Sequence, residues 1–328
     1  MKFKSRFLLF LILSALGLMI CAGASAEIVF HGQIYSGDET LIDLGSTVVK
    51  DMAEFESFLK RMPALKQVNM FATKVEKDTC HRLAKLFPDM KWGWTMVLRG
   101  SDHTHEIRTD QTSFSTLHNN RSSHHRSADF EILKYCWHLY ALDFGHNSVD
   151  DLSFLYDLPE LRVLIAACNQ ISDITPVASL HNLEYAELFK NQISDLSPVK
   201  DLTHLLDLNV CFNRIKDISP LKQMTWLKRL WLLNAHVYDR AYTKEEIQAY
   251  KAALPDTEVD MIHYSTAGTW RYIRENKMSP HYAVIVACFG SDHLHPSSVY
   301  VPFEDSWPFT REEQEAISQA YETFGAAP

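Results

Sequence analysis

Between Leu139 and Trp226 one pattern returns four times at a strict 22-residue interval. The copies begin at Leu139, Leu161, Leu183 and Leu205, and a fifth opens at Leu227 before breaking off. Their shared frame is L-x-x-[LA]-x-[LFAV]-x-x-N-x-[VI]-x-D-[LI]-x-[FP]-[LV]-x-x-[LM]. A unit this short cannot bury its own apolar residues. The copies must stack on one another and share a continuous core.

Each frame position has a physical role. Apolar residues two apart (Leu142 and Phe144, Leu164 and Ala166, Leu208 and Val210, Leu230 and Leu232) alternate as a short strand does and are predicted to face inward. The residues between them then face the opposite, concave side. Asn147, Asn169, Asn191 and Asn213 recur where each strand ends, where a side-chain amide can satisfy backbone groups that no ladder reaches. The later Asp-Ile-x-Pro-Leu stretch, as in Asp217 to Leu221, is predicted to return along the convex side in extended form, because proline disfavours a helix.

Through N-x-I-x-D-[IL]-x-P-[LV], clearest at Asn169 to Val177, Asn191 to Val199 and Asn213 to Leu221, the chain resembles bacterial leucine-rich-repeat proteins of the internalin type. The resemblance implies an α/β fold, a leucine-rich-repeat solenoid. Its curved parallel sheet would line the concave side, with helices and extended turns on the convex side. For function it implies recognition, commonly of a protein partner on the concave face, and it carries no particular binding residue over to this chain.

Upstream the spacing lengthens. Leu44, Met70 and Met96 stand 26 residues apart, and Val49 and Val75 repeat likewise. Between them Met52, Phe55, Phe58 and Leu59 share one predicted helix face, as do Leu83 and Leu86, with helix ends near Met62-Pro63 and Phe87-Pro88. Strand plus helix at this length resembles ribonuclease-inhibitor-style repeats. The segment 101–130 starts as a hairpin, turning at Gly100-Ser101-Asp102 and returning through Glu106-Ile107-Arg108, and ends as a polar, His-rich loop.

The two ends differ in kind. Lys2, Lys4 and Arg6 precede an apolar run to Ile20, and Ala24-Ser25-Ala26 supplies a cleavage signature, so residues 1–26 read as a signal peptide cut before Glu27. Phe7 to Ala24 is almost long enough to span a bilayer if kept as an anchor. Beyond the longer repeats (27–100) and the His-rich segment (101–130), the 22-residue repeats with their cap occupy 131–264 and a tail unit 265–328. Thr243 and Glu246 form a capping box that opens the cap, which continues through a short strand after Leu254. Thr310 and Glu313 open a tail helix with an apolar stripe of Ile317, Ala320, Tyr321 and Phe324. The predicted setting is secreted or periplasmic. Partners would be extracellular or envelope proteins, or glycans. The balance of 41 acidic to 32 basic residues argues against nucleic acid.

Several chemistries compete with this binding role. Gly-Ser-Asp-His-x-His occurs at Gly100 to His105 and again at Gly290 to His295. Such pairs could ligate zinc or copper in a metal-binding envelope protein, but both sit at apparent turns and read as solvated, with His124 and His125 adding imidazole in the loop. No metal or other cofactor is expected. Cys80, Cys136, Cys168, Cys211 and Cys288 follow the signal segment. Cys136 takes the frame position of Leu158 and Leu180, and Cys168 and Cys211 lie two repeats apart, roughly 10 Å at ~4.8 Å per strand, so packing is favoured over disulfides. No nucleophile elbow, zinc-protease motif or phosphate loop is present. The chain therefore reads as no enzyme, the alternative being a hydrolase with a tail site around Arg271, His281 and Asp292.

The concave face carries the binding prediction. Its outward positions run Ala141, Asp143, Gly145; Val163, Ile165, Ala167; Tyr185, Glu187, Phe189; Asp207, Asn209, Cys211; and Arg229, Trp231, Leu233. Aromatics beside a few charges make binding hot spots, so Tyr185, Glu187, Phe189, Asp207, Asn209, Phe212, Arg229 and Trp231 are the candidate ligand-binding residues. The competing expectation is that the tail after Ser265 folds back over them.

Overall fold

The computed structural model describes residues 27–116, 124–215, 217–233, 243–261, 272–273, 277–278 and Phe289. The signal segment, the Thr310 to Phe324 helix and the Arg271, His281 and Asp292 group lie outside them. Among the described residues no helix is long and apolar enough to cross a membrane. The chain forms two compact units, one built on residues up to Thr73 plus Phe87–Trp92, the other on Lys74–Leu86 plus Gly93 onward.

The first unit opens with a hairpin. Strands β1 (Glu27–Phe30) and β2 (Gln33–Ser36) pair antiparallel across His31 and Gly32, both at positive φ (47° and 78°). A two-residue turn with left-handed backbone matches the natural twist of the flanking strands. Phe30 and Tyr35 turn inward onto Phe58, at ring-centre distances of 4.4 and 5.3 Å. Phe58 belongs to helix α1 (Met52–Leu59), where Asp51 caps the N-terminus by accepting from the amides of Ala53 and Glu54. Phe55, Phe58 and Leu59 are buried on the predicted face.

Strand β3 (Leu41–Asp43) pairs in parallel with β4 (Gln67–Glu76), Leu41 opposite Gln67, which is the 26-residue step read in the sequence. The next step continues it, the Lys91 amide reaching the Lys66 carbonyl as Lys66 reaches Thr40. The second predicted helix, α2 (Lys77–Leu86), buries Leu83 but leaves Leu86 47% exposed, so only the first of that expected pair faces inward.

In the second unit the hairpin forms as read: β5 (Lys91–Arg99) pairs antiparallel with β6 (Thr104–Arg108) around Gly100 to His103. A seven-stranded parallel sheet follows. It comprises β7 (Ser113–Ser115), β8 (Ala141–Asp143), β9 (Val163–Ile165), β10 (Tyr185–Glu187), β11 (Asp207–Asn209), β12 (Arg229–Trp231) and, after helix α3 (Lys244–Ala253), β13 (Glu258–Asp260). From β8 to β12 each residue faces the residue 22 positions later, as Ala141 faces Val163 and Tyr185 faces Asp207. The Thr243–Glu246 capping box is present, and β13 closes the edge beside β12. β7 was not expected. It sits within the segment read as hairpin and loop, and it joins the sheet because Phe114 falls opposite Leu142 in the inward row.

The convex return also departs from the extended run expected there. It forms short 3-10 helices at Ser153–Asp157, Thr175–Ser179, Ser197–Val199 and Ser219–Gln223. Pro176, Pro198 and Pro220 stand in their first turns, where the missing N–H costs no hydrogen bond. Asp151, Asp173, Asp195 and Asp217 start these helices by accepting from the amide two residues on. The donated bonds hold the carboxyls of Asp173, Asp195 and Asp217 below the usual carboxylate range.

The asparagines link the repeats to one another. Asn191 Nδ2 donates to its own turn at Leu188 O (3.1 Å) and to the preceding repeat at Ala166 O (2.9 Å), while its Oδ1 accepts from Ile171 N (3.1 Å). Asn169 and Asn213 repeat the arrangement. Asn191→Ala strands these buried backbone groups and is predicted to lower stability by about 2–3 kcal/mol in urea titration. A loss under about 0.5 kcal/mol, the level of an ordinary surface change, would show that the ladder is dispensable.

Candidate functional site: the concave face of the parallel sheet

Two rows of side chains cross the strands in register. One runs Ala141, Val163, Tyr185, Asp207, Arg229; the other runs Asp143, Ile165, Glu187, Asn209, Trp231. Phe189, Cys211 and Leu233 follow just past the strand ends. Adjacent strands are ~4.8 Å apart, so neighbours within a row are in contact range. The period-2 geometry thus gathers Tyr185, Glu187, Phe189, Asp207, Asn209, Arg229 and Trp231 on one face, and Phe212 joins at the edge with its ring 5.4 Å from that of Phe189.

An open surface was expected, and the face is buried instead. Tyr185 is 1% exposed, Glu187 3%, Trp231 4%, and Asp207 and Asn209 0%. The apolar residues of the face form one cluster, and Phe289 from the tail is a member of it. Of the tail that the competing expectation folds over the sheet, Phe289 packs here; residues 279–288 and 290–328 lie outside the described residues.

The polar groups are partly satisfied in place. Asp143 accepts from Ser115 Oγ (3.0 Å) and from the Gly145 amide (2.9 Å). A Cβ at Gly145 would stand 3.2 Å from Asp143 Oδ1, so the carboxylate would have to give by a few tenths of an ångström to admit one. The Arg229 guanidinium lies 5.0 Å from the centre of the Trp231 ring and donates to Glu258 Oε2 at 2.9 and 3.2 Å. Such stacking on an aromatic face suits arginine. Asn209 Oδ1 accepts from the Cys211 amide (3.1 Å). Its Nδ2, like Trp231 Nε1, is buried without an acceptor among the described residues.

The histidines make a separate group. His105 Nδ1 lies 2.9 Å from His125 Nε2, His124 Nδ1 2.5 Å from Asp102 Oδ2, and His125 Nδ1 3.6 Å from Asp129 Oδ2. The solvated-loop expectation fails at His125, which is fully buried. The backbone shows why. Ser148 N donates to His125 O as Gln170 N does to Val149 O and Gln192 N to Ile171 O. His125 therefore fills the core position that the repeats give to Val149, Ile171 and Ile193, and no periodicity in the sequence marks it. Among the described residues no group of three or more His, Cys, Asp or Glu could hold a metal ion. The second copy, Gly290 to His295, lies outside the described residues.

Among the described cysteines Cys80 and Cys211 are buried, and Cys136 and Cys168 are partly so. Cys80, Cys136, Cys168 and Cys211 form no disulfide with one another. Burial pushes the Cys80 thiol up to about 12 and raises that of Cys136, which caps the 3-10 helix Ser127–Tyr135 as Leu158 and Leu180 cap theirs.

A family model for leucine-rich repeats (two copies) matches residues 181–222. The chain is similar to solved structures of internalin C2 (19% identity, TM-score 0.37, covering 70% of this chain and 86% of that one) and internalin F (19%, 0.36, 68% and 69%), both from Listeria monocytogenes. It is also similar to a leucine-rich-repeat protein of Leptospira interrogans (17%, 0.30, 62% and 57%). None of the curated proteins matches it. The model match and the 22-residue parallel register make the repeat block a leucine-rich-repeat solenoid, internalin-like in its N-x-I-x-D-[IL]-x-P frame.

Burial holds His125 below its ordinary pKa, opposed in part by Asp129, and His103 lowers it further. The unfolded chain, with its imidazole near ~6.5, then binds more protons below that pH, so stability falls as pH drops through the window beneath it. His125→Val, the residue type of the repeats, is predicted to flatten the fall in Tm between about pH 7 and about pH 5. An unchanged slope would mean that His125 is not the titrating group. His81, also lowered chiefly by burial, leaves a residual slope.

Proposed function

We propose that the chain is an exported binding protein that recognises a protein ligand through the concave face of its leucine-rich-repeat sheet, a glycan being the weaker alternative. The observation that carries this reading is the content of that face. Asp143, Glu187, Asp207, Asn209 and Arg229 alternate there with Tyr185, Phe189 and Trp231, whereas the opposite row is apolar at every strand. Core packing needs no acids or amides, because a buried polar group stabilises only when paired. Recognition needs both, aromatic anchors for affinity and directional polar groups for orientation.

In this reading Tyr185, Phe189, Phe212 and Trp231 are the apolar anchors. Glu187, Asp207 and Arg229 set polarity, and the Asn209 amide donates to the ligand. The repeat fold supports a binding role, and the leading segment 1–26 supports export. No catalytic step is assigned.

The test is selection of displayed random peptides and a glycan array on the immobilised chain from Glu27 onward, followed by calorimetry on the selected probes. A peptide that binds the chain and loses at least about ten-fold affinity, roughly 1.4 kcal/mol, on Tyr185→Ala/Trp231→Ala supports concave recognition. Probes bound equally by both proteins would move the site off this face.

A further inference from the structure

The concave face has the composition of a surface and the burial of a core. Asp207 and Asn209 are 0% exposed, and Asn209 Nδ2 and Trp231 Nε1 have no acceptor among the described residues. What shares the buried cluster with Tyr185, Phe189, Cys211 and Trp231 is Phe289. In the sequence Phe289 ends an unbroken apolar run, Ala283-Val284-Ile285-Val286-Ala287-Cys288-Phe289, closed by Gly290. The burial has a clear edge. Arg229 is 6% exposed, while the side chain of its partner Glu258, on the last strand, is 57% exposed.

We infer that the concave face is a groove for a peptide bearing an aromatic side chain, and that its resident occupant is Phe289 of this chain, which an outside ligand displaces. The inference rests on the concave-recognition reading above and adds its regulation. Phe289 packs in the apolar cluster of the groove. It leaves two buried donors unmet, and an unmet buried donor raises the free energy of the covered state. A ligand that supplies both an aromatic ring and two acceptors, such as backbone carbonyls or a carboxylate, binds the uncovered groove more favourably than Phe289 does. Its apparent affinity is reduced by the fraction of molecules in which the groove is covered, so weakening the cover strengthens binding. The cover is thus a competitor built into the chain.

The thiol of Cys211 reports on the cover without any ligand. It is fully buried in the Phe289 cluster, whereas Cys80 is fully buried in α2, is no member of that cluster and serves as an internal reference. The experiment is native-state alkylation of the full chain with iodoacetamide, read at each cysteine by peptide mass spectrometry. In Phe289→Asp the Cys211 rate is expected to rise at least ten-fold with Cys80 unchanged, and in Phe289→Leu Cys211 is expected to stay protected. A synthetic peptide of residues 281–295, carrying Cys288→Ser, is expected to restore protection to Phe289→Asp.

Continued protection of Cys211 in Phe289→Asp would overturn the inference. So would a joint rise of Cys211 and Cys80, since Phe289 would then be an ordinary core residue whose loss unfolds the unit. A peptide that gives no protection would contradict a peptide-accepting groove. An opened cover in a chain that selects no displayed peptide would instead remove the recognition reading and leave the cover standing, so the two failures are distinguishable.

Discussion

A chain leaving a strand of three residues must satisfy its polar backbone within one turn or leave it unpaired in the core. Asn169, Asn191 and Asn213 meet this need by bonding within their own repeat and back to the preceding one at once, with an amide on the carbonyls of two repeats and a carbonyl on an amide of the earlier one. The residue before each takes a left-handed backbone, with φ 56° at Cys168, 52° at Lys190 and 54° at Phe212. Non-glycine residues accept that conformation at a cost. The asparagine bonds offset it, and the 22-residue step follows, because one added residue would carry the amide away from its partners. The parallel register, the 3-10 turns and the order of residues on the concave face all inherit that step.

The face so ordered joins two features that seldom occur together. Its side chains have the composition of a surface, and its burial is that of a core. An acid such as Asp207 or an amide such as Asn209 at 0% exposure is costly to desolvate, and apolar residues of like size at those positions would be less so. The proposed recognition of a ligand by this face accounts for that composition, and Phe289 shares its buried cluster.

Much of this was legible in the sequence, for identifiable reasons. The 22- and 26-residue steps, the hairpin around Gly100, the Thr243–Glu246 cap and the gathering of Tyr185, Phe189, Asp207 and Trp231 all follow from local periodicity or a local motif. Four features did not follow. β7 carries one apolar residue, Phe114, between two serines, and that is too short for a period to show. The proline returns read as extended because the helices they start are only three to five residues long. His125 and Phe289 depend on tertiary placement. One takes a position that the repeats give to valine and isoleucine, and the other reaches the face from far along the chain, where spacing says nothing about contact.

The central claim is that Phe289 lies on the concave face of the repeat sheet, and photo-crosslinking tests it most directly. With p-benzoylphenylalanine in place of Phe289 in the full chain, irradiation is predicted to attach that residue to peptides carrying Tyr185, Phe189, Cys211 or Trp231. Attachment to other peptides, or only between molecules, would contradict the account.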